Sequence, residues 1–283
     1  MARNNIFELM ANNFDQMREI SRIDRLFRSE RFYTLGKRSV ITVFEFVENN
    51  CFAAWKNRGH CIDIEDFMDT VQYTDTLRFS TSDINCFFTF IEIVYNCWWL
   101  AFRNGFPTLI DPDDEHIFKL LCITMDDCLS HFNHKAVYFE DKEQLIVVED
   151  KPEVTAVAEI LEPDLAYTVL QYNHYLLKGD LTAKKNILIA IGADLESKRK
   201  QIIAADPSLD DIFFLLNNLN IRHNNCTVGD KNYKRAVADF DEVTLENWYD
   251  ELYQMMLLAY LKLDHEHRKN KIKLLKTQIS GGA

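Results

Sequence analysis

The chain has 283 residues and a mass of 33.3 kDa, enough for one large domain or two of ordinary size. Hydrophobic residues make up 47% and include 20 Phe, which excludes wholesale disorder because so much apolar material can form a core. The formal net charge of −12 argues against a protein that coats nucleic acid through bulk electrostatics, although it leaves room for a local basic groove.

Turn-forming residues are scarce, with 8 Gly and 5 Pro, which favours long helices over sandwiches or barrels. The 7 cysteines form no CxxC pair and lie mostly in apolar stretches, where a free thiol behaves as a small buried hydrophobe. The first apolar residues alternate with Asn, Asp and Glu, unlike a signal peptide. We therefore expect a cytoplasmic protein in a reducing compartment.

In the first half of the chain, helices are predicted over residues 5–28, 39–58 and 63–72, with a turn near 33–36. The segment 83–103, capped by Ser82, is apolar on every side and is nearly long enough to span a membrane. Asn85, Glu92 and Asn96 interrupt it and no basic cluster flanks it, so we predict a central buried helix.

A further helix is predicted over 113–132, and the only clear β pattern follows, where 136–140 and 145–149 predict a hairpin. The polar stretch 149–153 marks a predicted boundary between an N-terminal unit, 1–150, and a C-terminal unit, 151–283. Helices are predicted in the second unit over 152–161, 163–177, 181–204, 209–220 and 244–276. The expected fold is mainly α, a helical bundle architecture of two packed helical units with one short β-hairpin near the middle.

Two segments predict a surface for a partner. The predicted helices 83–103 and 244–263 carry more apolar residues than one buried face needs, so we expect a homodimer. Basic residues cluster at Lys198, Arg199 and Lys200 and again over 268–276, which has five basic residues and no acid. Such clusters suit RNA or an acidic partner; the alternative is an ordinary solvated face that compensates a helix dipole.

Metal-ligand patterns are weak. Cys128, His131 and His134 follow one another at helical spacing but run past the predicted helix end, and 264–267 (DHEH) lies on an exposed, charged helix. No GxSxG, Walker-type, GxGxxG or HExxH motif occurs in the sequence. We expect neither a metal site nor a cofactor.

The strongest indication of chemistry lies in residues 215–225, LLNNLNIRHNN, where an apolar helix gives way to a polar cluster. Arg222 could hold a phosphate bidentately, His223 could transfer a proton at a ribose oxygen, and Asn224 and Asn225 could orient them. The alternative is structural, with Arg222 and the asparagines capping helix ends and fastening the loop 226–231. The residues by themselves leave both interpretations open.

This Arg-polar step after a helix, within a helical C-terminal unit, resembles the HEPN superfamily over at most residues 152–276. HEPN domains are frequent in bacterial phage-defence, abortive-infection and toxin systems, and many are metal-independent RNases. Their motif is an arginine, then often Asn, Asp or His, and a histidine a few residues later. Arg222 and His223 match the first two positions, but residues 227–229 (TVG) stand where the closing histidine belongs.

The resemblance implies a protein of a bacterial defence or stress system that binds or cleaves RNA without a metal. It assigns Arg222 and His223 as catalytic residues. Substrate contacts would come from Asn224, Asn225, Lys198, Arg199 and Lys200. Because the closing histidine is missing, the resemblance leaves open whether the chain is an enzyme or only binds RNA. A hypothesis from another class is a non-catalytic helical interaction or scaffold protein, in which the cluster at 222–225 is structural.

Overall fold

The computed structural model describes residues 14–35, 39–71 and 84–281. Within these ranges the protein is mainly α, with thirteen α-helices and two small two-stranded sheets, which confirms the predicted fold class. The chain divides into two compact units between Asp150 and Lys151. The helix predicted at residues 5–13, the turn residue Gly36 and the Ser82 cap lie outside the described residues.

The N-terminal unit contains six helices and four strands among its described residues. They are α1 Gln16–Asp24, β1 Phe32–Tyr33, β2 Val40–Ile41, α2 Val43–Asn50, α3 Ile64–Thr70, α4 Ile84–Arg103, α5 Phe106–Leu109, α6 Glu115–His131, β3 His134–Phe139 and β4 Gln144–Glu149. A π-helical turn, Arg25–Ser29, prolongs α1.

The helix predicted over 39–58 is much shorter than expected. Thr42 and Glu45 form a capping box, each side chain accepting a hydrogen bond from the other residue's backbone N–H, and this fixes the helix start at Val43. The residues before it, Val40–Ile41, pair with Phe32–Tyr33 as a second small sheet that the sequence pattern did not predict. After Asn50 the chain continues in two 3-10 turns instead of a helix.

Helix α4 forms the centre of the N-terminal unit. Eleven of its residues are buried, including Phe87, Phe90 and Ile91. It is the one described helix long and apolar enough to cross a membrane, with a mean hydropathy of 1.2, but 61% of that stretch is buried. Phe102 is the only exposed large apolar side chain of α4. The core of the unit therefore buries most of the apolar surface of 83–103 that led us to expect a homodimer.

The polar residues that interrupt α4 fasten it to the hairpin. Asn96 donates to the carbonyl of Leu145 at 2.9 Å and accepts from its N–H at 2.9 Å. The Glu92 carboxylate accepts from the N–H of Val147 at 2.6 Å. Strands β3 and β4 pair antiparallel from His134↔Glu149 to Phe139↔Gln144, which confirms the predicted hairpin with a first strand that starts two residues earlier.

The described residues of the C-terminal unit form helices and loops, with one isolated bridge residue at His174. Its helices are α7 Pro152–Ala158, α8 Pro163–Gln171, α9 Leu181–Ser197, α10 Arg199–Ala205, α11 Asp211–Asn218, α12 Arg235–Ala238 and α13 Glu242–Gly281. The first part of α13 packs against α7, α9, α10 and α11, so this helix is the axis of the unit. The helix predicted over 181–204 is divided at Lys198, where φ is −105° and ψ is 4°.

Candidate functional site

Arg222 contacts helix α9 through its guanidinium. One nitrogen lies 2.7 Å from a carboxylate oxygen of Glu196, and another donates to the backbone carbonyl of Gly192 at 2.9 Å. Its own backbone N–H donates to the carbonyl of Leu216 in α11 at 3.0 Å. Arg222 therefore fastens the loop after α11 to α9, and a phosphate held by the same two nitrogens would have to displace Glu196.

Glu196 forms an ion pair with Arg222. The hydrogen bond from Arg222 lowers the pKa of Glu196, and Arg199 adds a second, longer contact of 3.4 Å. The carboxylate is therefore ionised at neutral pH.

Gly192 permits this contact because it has no side chain. A Cβ on this residue would lie 2.8 Å from one side-chain carbon of Leu216 and 3.4 Å from a guanidinium nitrogen of Arg222. Real side chains essentially never approach as closely as the first of these distances. The sequence contains no sign of this role, since a glycine inside a helical pattern indicates only a weaker helix.

Asn225 is completely buried and forms the centre of the loop. Its side chain accepts from the N–H of Asn220 at 2.7 Å and donates to the carbonyl of Asn232 at 2.8 Å. Its backbone N–H donates to the side chain of Asn220 at 3.1 Å, so the two asparagines bind each other reciprocally. A residue buried and bonded in this way holds the loop and presents no free group to a substrate.

The two residues before Asn225 are exposed. Asn224 accepts from the N–H groups of Cys226 and Thr227 at 3.3 and 3.2 Å, a turn that the side chain closes on its own loop. The described residues give the ring of His223 no hydrogen-bond partner. Of Arg222, His223, Asn224 and Asn225, His223 is therefore the one residue whose side-chain nitrogens form no hydrogen bond with a described residue.

Acids balance most of the predicted basic cluster. Lys198 lies 2.5 Å from Asp194, and Arg199 binds Asp210 through two nitrogens at 2.6 and 3.1 Å. Lys200 is exposed and forms no ion pair with any described residue. The structure thus leaves one of these three cations without an anion, which weakens the cluster as a phosphate-binding surface.

A buried lysine lies in the C-terminal unit at a position that the sequence pattern did not indicate. Lys184 is 6% exposed, and its ammonium lies 2.8 Å from Glu246, 2.7 Å from Asp250 and 5.2 Å from the centre of the Tyr172 ring. The Tyr172 hydroxyl donates to the same Asp250 carboxylate at 2.8 Å. This cluster ties α8 and α9 to α13. The sequence does show two acids four residues apart on α13, Glu246 and Asp250. It does not show that they bind Lys184, which lies more than sixty residues earlier in the chain.

The metal-ligand candidates have other contacts. His131 stacks on Phe14 at 4.2 Å, and His134 stacks on Phe88 at 4.2 Å. Across residues 14–35, 39–71 and 84–281 no three His, Cys, Asp or Glu side chains come together as a ligand set.

All seven cysteines lie in the described ranges and are free thiols. Burial raises the pKa of Cys51 to about 11 and that of Cys128 to about 12. These two thiols are therefore protonated at neutral pH and are poor nucleophiles.

A cleft of about 250 Å³ lies between the end of α4 and the hairpin, within the N-terminal unit. Its lining includes Trp55, Trp99, Arg103, Asn104, Tyr138 and Glu143. The sequence pattern does not indicate this cleft, because its residues come from three separate parts of the chain. The sequence pattern assigns the two tryptophans at 98 and 99 to a buried helix or, alternatively, to an interface patch.

The end of α13 projects from the C-terminal unit, and we call residues 264–281 the arm. Every side chain from His267 to Ser280 is exposed. Ile272, Leu275 and Ile279 follow one another at helical spacing and are 53%, 54% and 70% exposed. The arm therefore carries an apolar stripe that nothing in the described residues covers.

Comparison with protein-family models, with curated proteins and with solved structures finds no match to this chain. The fold and its contacts therefore define a mainly α-helical protein, and the HEPN resemblance stays a prediction.

Proposed function

We propose that this chain is a helical interaction protein that assembles with a second copy of itself through the arm. The observation that carries the proposal is the exposed apolar stripe at Ile272, Leu275 and Ile279. Side chains at positions i, i+3 and i+7 are the anchors by which an amphipathic helix binds a groove. Most of the stability of a helix in a protein comes from packing of its apolar face, so a partner surface would stabilise the arm.

The basic charge of the arm favours a second copy of the acidic chain as its partner. The stretch Arg268–Lys276 has five basic residues and no acid, whereas the whole chain has a net charge of −12. The arm's two acids bind Arg268 and Lys269, which leaves Lys271, Lys273 and Lys276 without an ion pair among the described residues. Two arms side by side would place these cations against each other. The acidic body of a second copy is the better complement.

The exposed face of α6 fits the arm. Leu120 and Ile123 are 45% and 53% exposed, and they lie one helical turn apart on this face. The neighbouring Asp126 and Asp127 are exposed as well. This face thus combines an apolar pair with acids, which complements the apolar and basic arm, and we assign it as the acceptor surface in the second copy.

Ile272→Asp together with Leu275→Asp is expected to weaken self-association by about 100-fold, since burying the two side chains is worth roughly 3 kcal/mol. Leu274→Asp is the matched control, because Leu274 is 67% exposed but lies on the opposite side of the arm. Sedimentation velocity over a series of protein concentrations measures the dissociation constant. Raising the salt from about 0.05 to about 0.5 M should also weaken association, because the charges are screened.

The acceptor is tested by Ile123→Asp, which should weaken association as the arm variant does. A wild-type protein that stays monomeric at every concentration contradicts the proposal. So does a double arm variant that associates as tightly as Leu274→Asp. If the arm variant dissociates and Ile123→Asp does not, the assignment of α6 as the acceptor is wrong.

RNA binding is the second candidate function, favoured by the unpaired basic residues of the arm and by the exposed ring of His223. It is tested by incubating the protein with short structured RNAs in EDTA. Because Arg222 fastens a loop, Arg222→Ala is expected to cost about 1–2 kcal/mol of stability whatever its role. The decisive variant is His223→Ala, since the described residues give this ring no hydrogen bond to lose.

If the HEPN resemblance is functional, wild type cleaves or retains RNA and His223→Ala does so much less, with an unchanged melting temperature. Cleavage in EDTA would establish a metal-independent RNase. Equal behaviour of wild type and His223→Ala would argue against His223 as the proton-transfer residue. No cleavage and no retention by wild type would contradict the RNA hypothesis.

A further inference from the structure

We infer that the cleft between α4 and the hairpin binds a small planar aromatic anion, such as a nucleoside monophosphate or an aromatic carboxylate. The inference concerns the N-terminal unit and is independent of the arm. Its basis is an aromatic wall, a cation without an acid partner and an indole N–H without an acceptor, all within one cleft of about 250 Å³.

Aromatic rings form the wall of this cleft. Trp99 meets Tyr138 edge to face, with ring centres 4.4 Å apart. Trp55 is held in place by the hydrogen bond from its indole N–H to the carbonyl of Glu143 at 3.1 Å. Rings fixed in this way favour a flat ligand, because stacking on a preorganised ring loses little conformational entropy.

Arg103 supplies the positive charge. It lies at the end of α4, where one guanidinium nitrogen donates to the hydroxyl of Tyr138, and no carboxylate among the described residues binds it. Arg199 and Arg222, by contrast, each bind acids. The acid in the cleft lining, Glu143, has Lys56 within 3.9 Å. The free edge of the Arg103 guanidinium therefore favours an anion and disfavours a cationic ligand.

Trp99 provides the second unused group. Its indole nitrogen is the one fully buried side-chain polar atom in the described ranges that has no hydrogen-bond partner. Such a group is rare in folded proteins, because an unpaired buried donor is destabilising. The nitrogen itself has almost no accessible surface, so a ligand would reach it only after a shift of the Trp99 ring. A carboxylate or phosphate oxygen, or an aromatic ring nitrogen, would then be the acceptor that this N–H lacks.

The size of the cleft limits the ligand. At about 250 Å³ it lies below the usual range for drug-sized ligands, so it suits one ring system with one acidic group. A nucleoside monophosphate and a simple aromatic carboxylate share this chemistry. They differ in the distance between the ring and the charge, so comparing their affinities shows which of the two ligand classes the cleft prefers.

The test is isothermal titration calorimetry of the full chain with adenosine monophosphate and with salicylate. Adenosine, benzyl alcohol and inorganic phosphate serve as ligands that lack either the charge or the ring. We expect at least one of the two anions to bind with a micromolar to millimolar Kd, and about tenfold more tightly than its neutral counterpart or phosphate. Whichever anion binds more tightly identifies the ligand class.

Two variants and a control locate the binding. Arg103→Met should weaken the anion about tenfold, and Trp99→Phe, which keeps a ring but removes the N–H, should weaken it several-fold. Lys119→Met is the control for general charge, because Lys119 is exposed and neither it nor its partner Glu115 lines the cleft. Its effect should be under about threefold.

The inference is overturned if neither anion binds, if Arg103→Met binds as well as wild type, or if phosphate binds as tightly as the aromatic anions. Equal losses in Arg103→Met and Lys119→Met would also overturn it, since they would indicate unspecific attraction by surface charge. Circular dichroism and the melting temperature of each variant check that the unit is folded, so a lost fold is not read as lost binding.

Discussion

Lys184→Met is expected to lower the free energy of unfolding by about 3 kcal/mol, one of the two largest effects expected in this chain. Removing one member of a buried ion pair costs about 3–5 kcal/mol, because the remaining charge keeps its desolvation cost and loses its partner. The lower end applies here, since the side chain of Glu246 is 19% exposed and that of Asp250 is 48% exposed. Methionine keeps most of the buried volume of the lysine stem.

The cost of Lys184→Met should depend on pH. Burial by itself would raise the pKa of Glu246, but hydrogen bonds from Lys184 and from the N–H of Gly179 lower it below its usual value. A carboxylate with a lowered folded pKa contributes stability above its ordinary pKa and loses it as the pH falls through the lowered value. The difference between wild type and Lys184→Met should therefore be full at neutral pH and shrink on acidification.

Urea unfolding monitored by circular dichroism, from neutral to acidic pH, measures this difference. Lys185→Met is the matched control, because the neighbouring lysine is only half-buried and forms no ion pair with a described residue. It should change the free energy of unfolding by less than about 0.5 kcal/mol. Equal effects of the two substitutions, or a difference that grows towards acid, would contradict the role given to Lys184.

Asn225→Ala is expected to cost about 3 kcal/mol, the second large effect. The change would leave the N–H of Asn220 and the carbonyl of Asn232, both part-buried, without their partners. Each unsatisfied buried group costs about 1–3 kcal/mol. Asn220 also has a φ of 57°, a backbone conformation that needs support from its surroundings.

Asn224→Ala is the comparison for Asn225→Ala, since it is the same substitution at the exposed neighbouring position. It removes only a local turn, so we expect a loss under about 1 kcal/mol. Thermal and urea unfolding of both variants measure the contrast. If the two asparagines contact a substrate, as the HEPN resemblance implies, the variants should instead differ little in stability and both should reduce RNA retention.

Sequence periodicity predicted which parts of the chain are helical, because apolar residues recur wherever a helix must cover the core. It also predicted the hairpin, where β-branched and apolar residues alternate over β3 and β4. The boundaries were less predictable. The start of α2 depends on the capping box of Thr42 and Glu45, and on the pairing of Val40–Ile41 with Phe32–Tyr33.

The contacts of the candidate site were not predictable in the same way. The sequence showed that Arg222 and the asparagines are concentrated in one loop. It did not show that the partners of Arg222 are Glu196 and Gly192 in α9, 26 and 30 residues earlier. The local cluster was equally compatible with phosphate binding and with loop fastening, because both use the same donors.

The sequence by itself determined the helical class, the mid-chain hairpin, the burial of α4 and the basic, amphipathic end of α13. These follow from local spacing, which the chain carries without reference to distant residues. Only the tertiary structure decided which charges are paired, that Lys184 lies between Glu246 and Asp250, and that Trp99 and Arg103 meet Tyr138 in a cleft. Those outcomes depend on which helices lie side by side, and hydrophobic spacing specifies the buried face of a helix but not its neighbour.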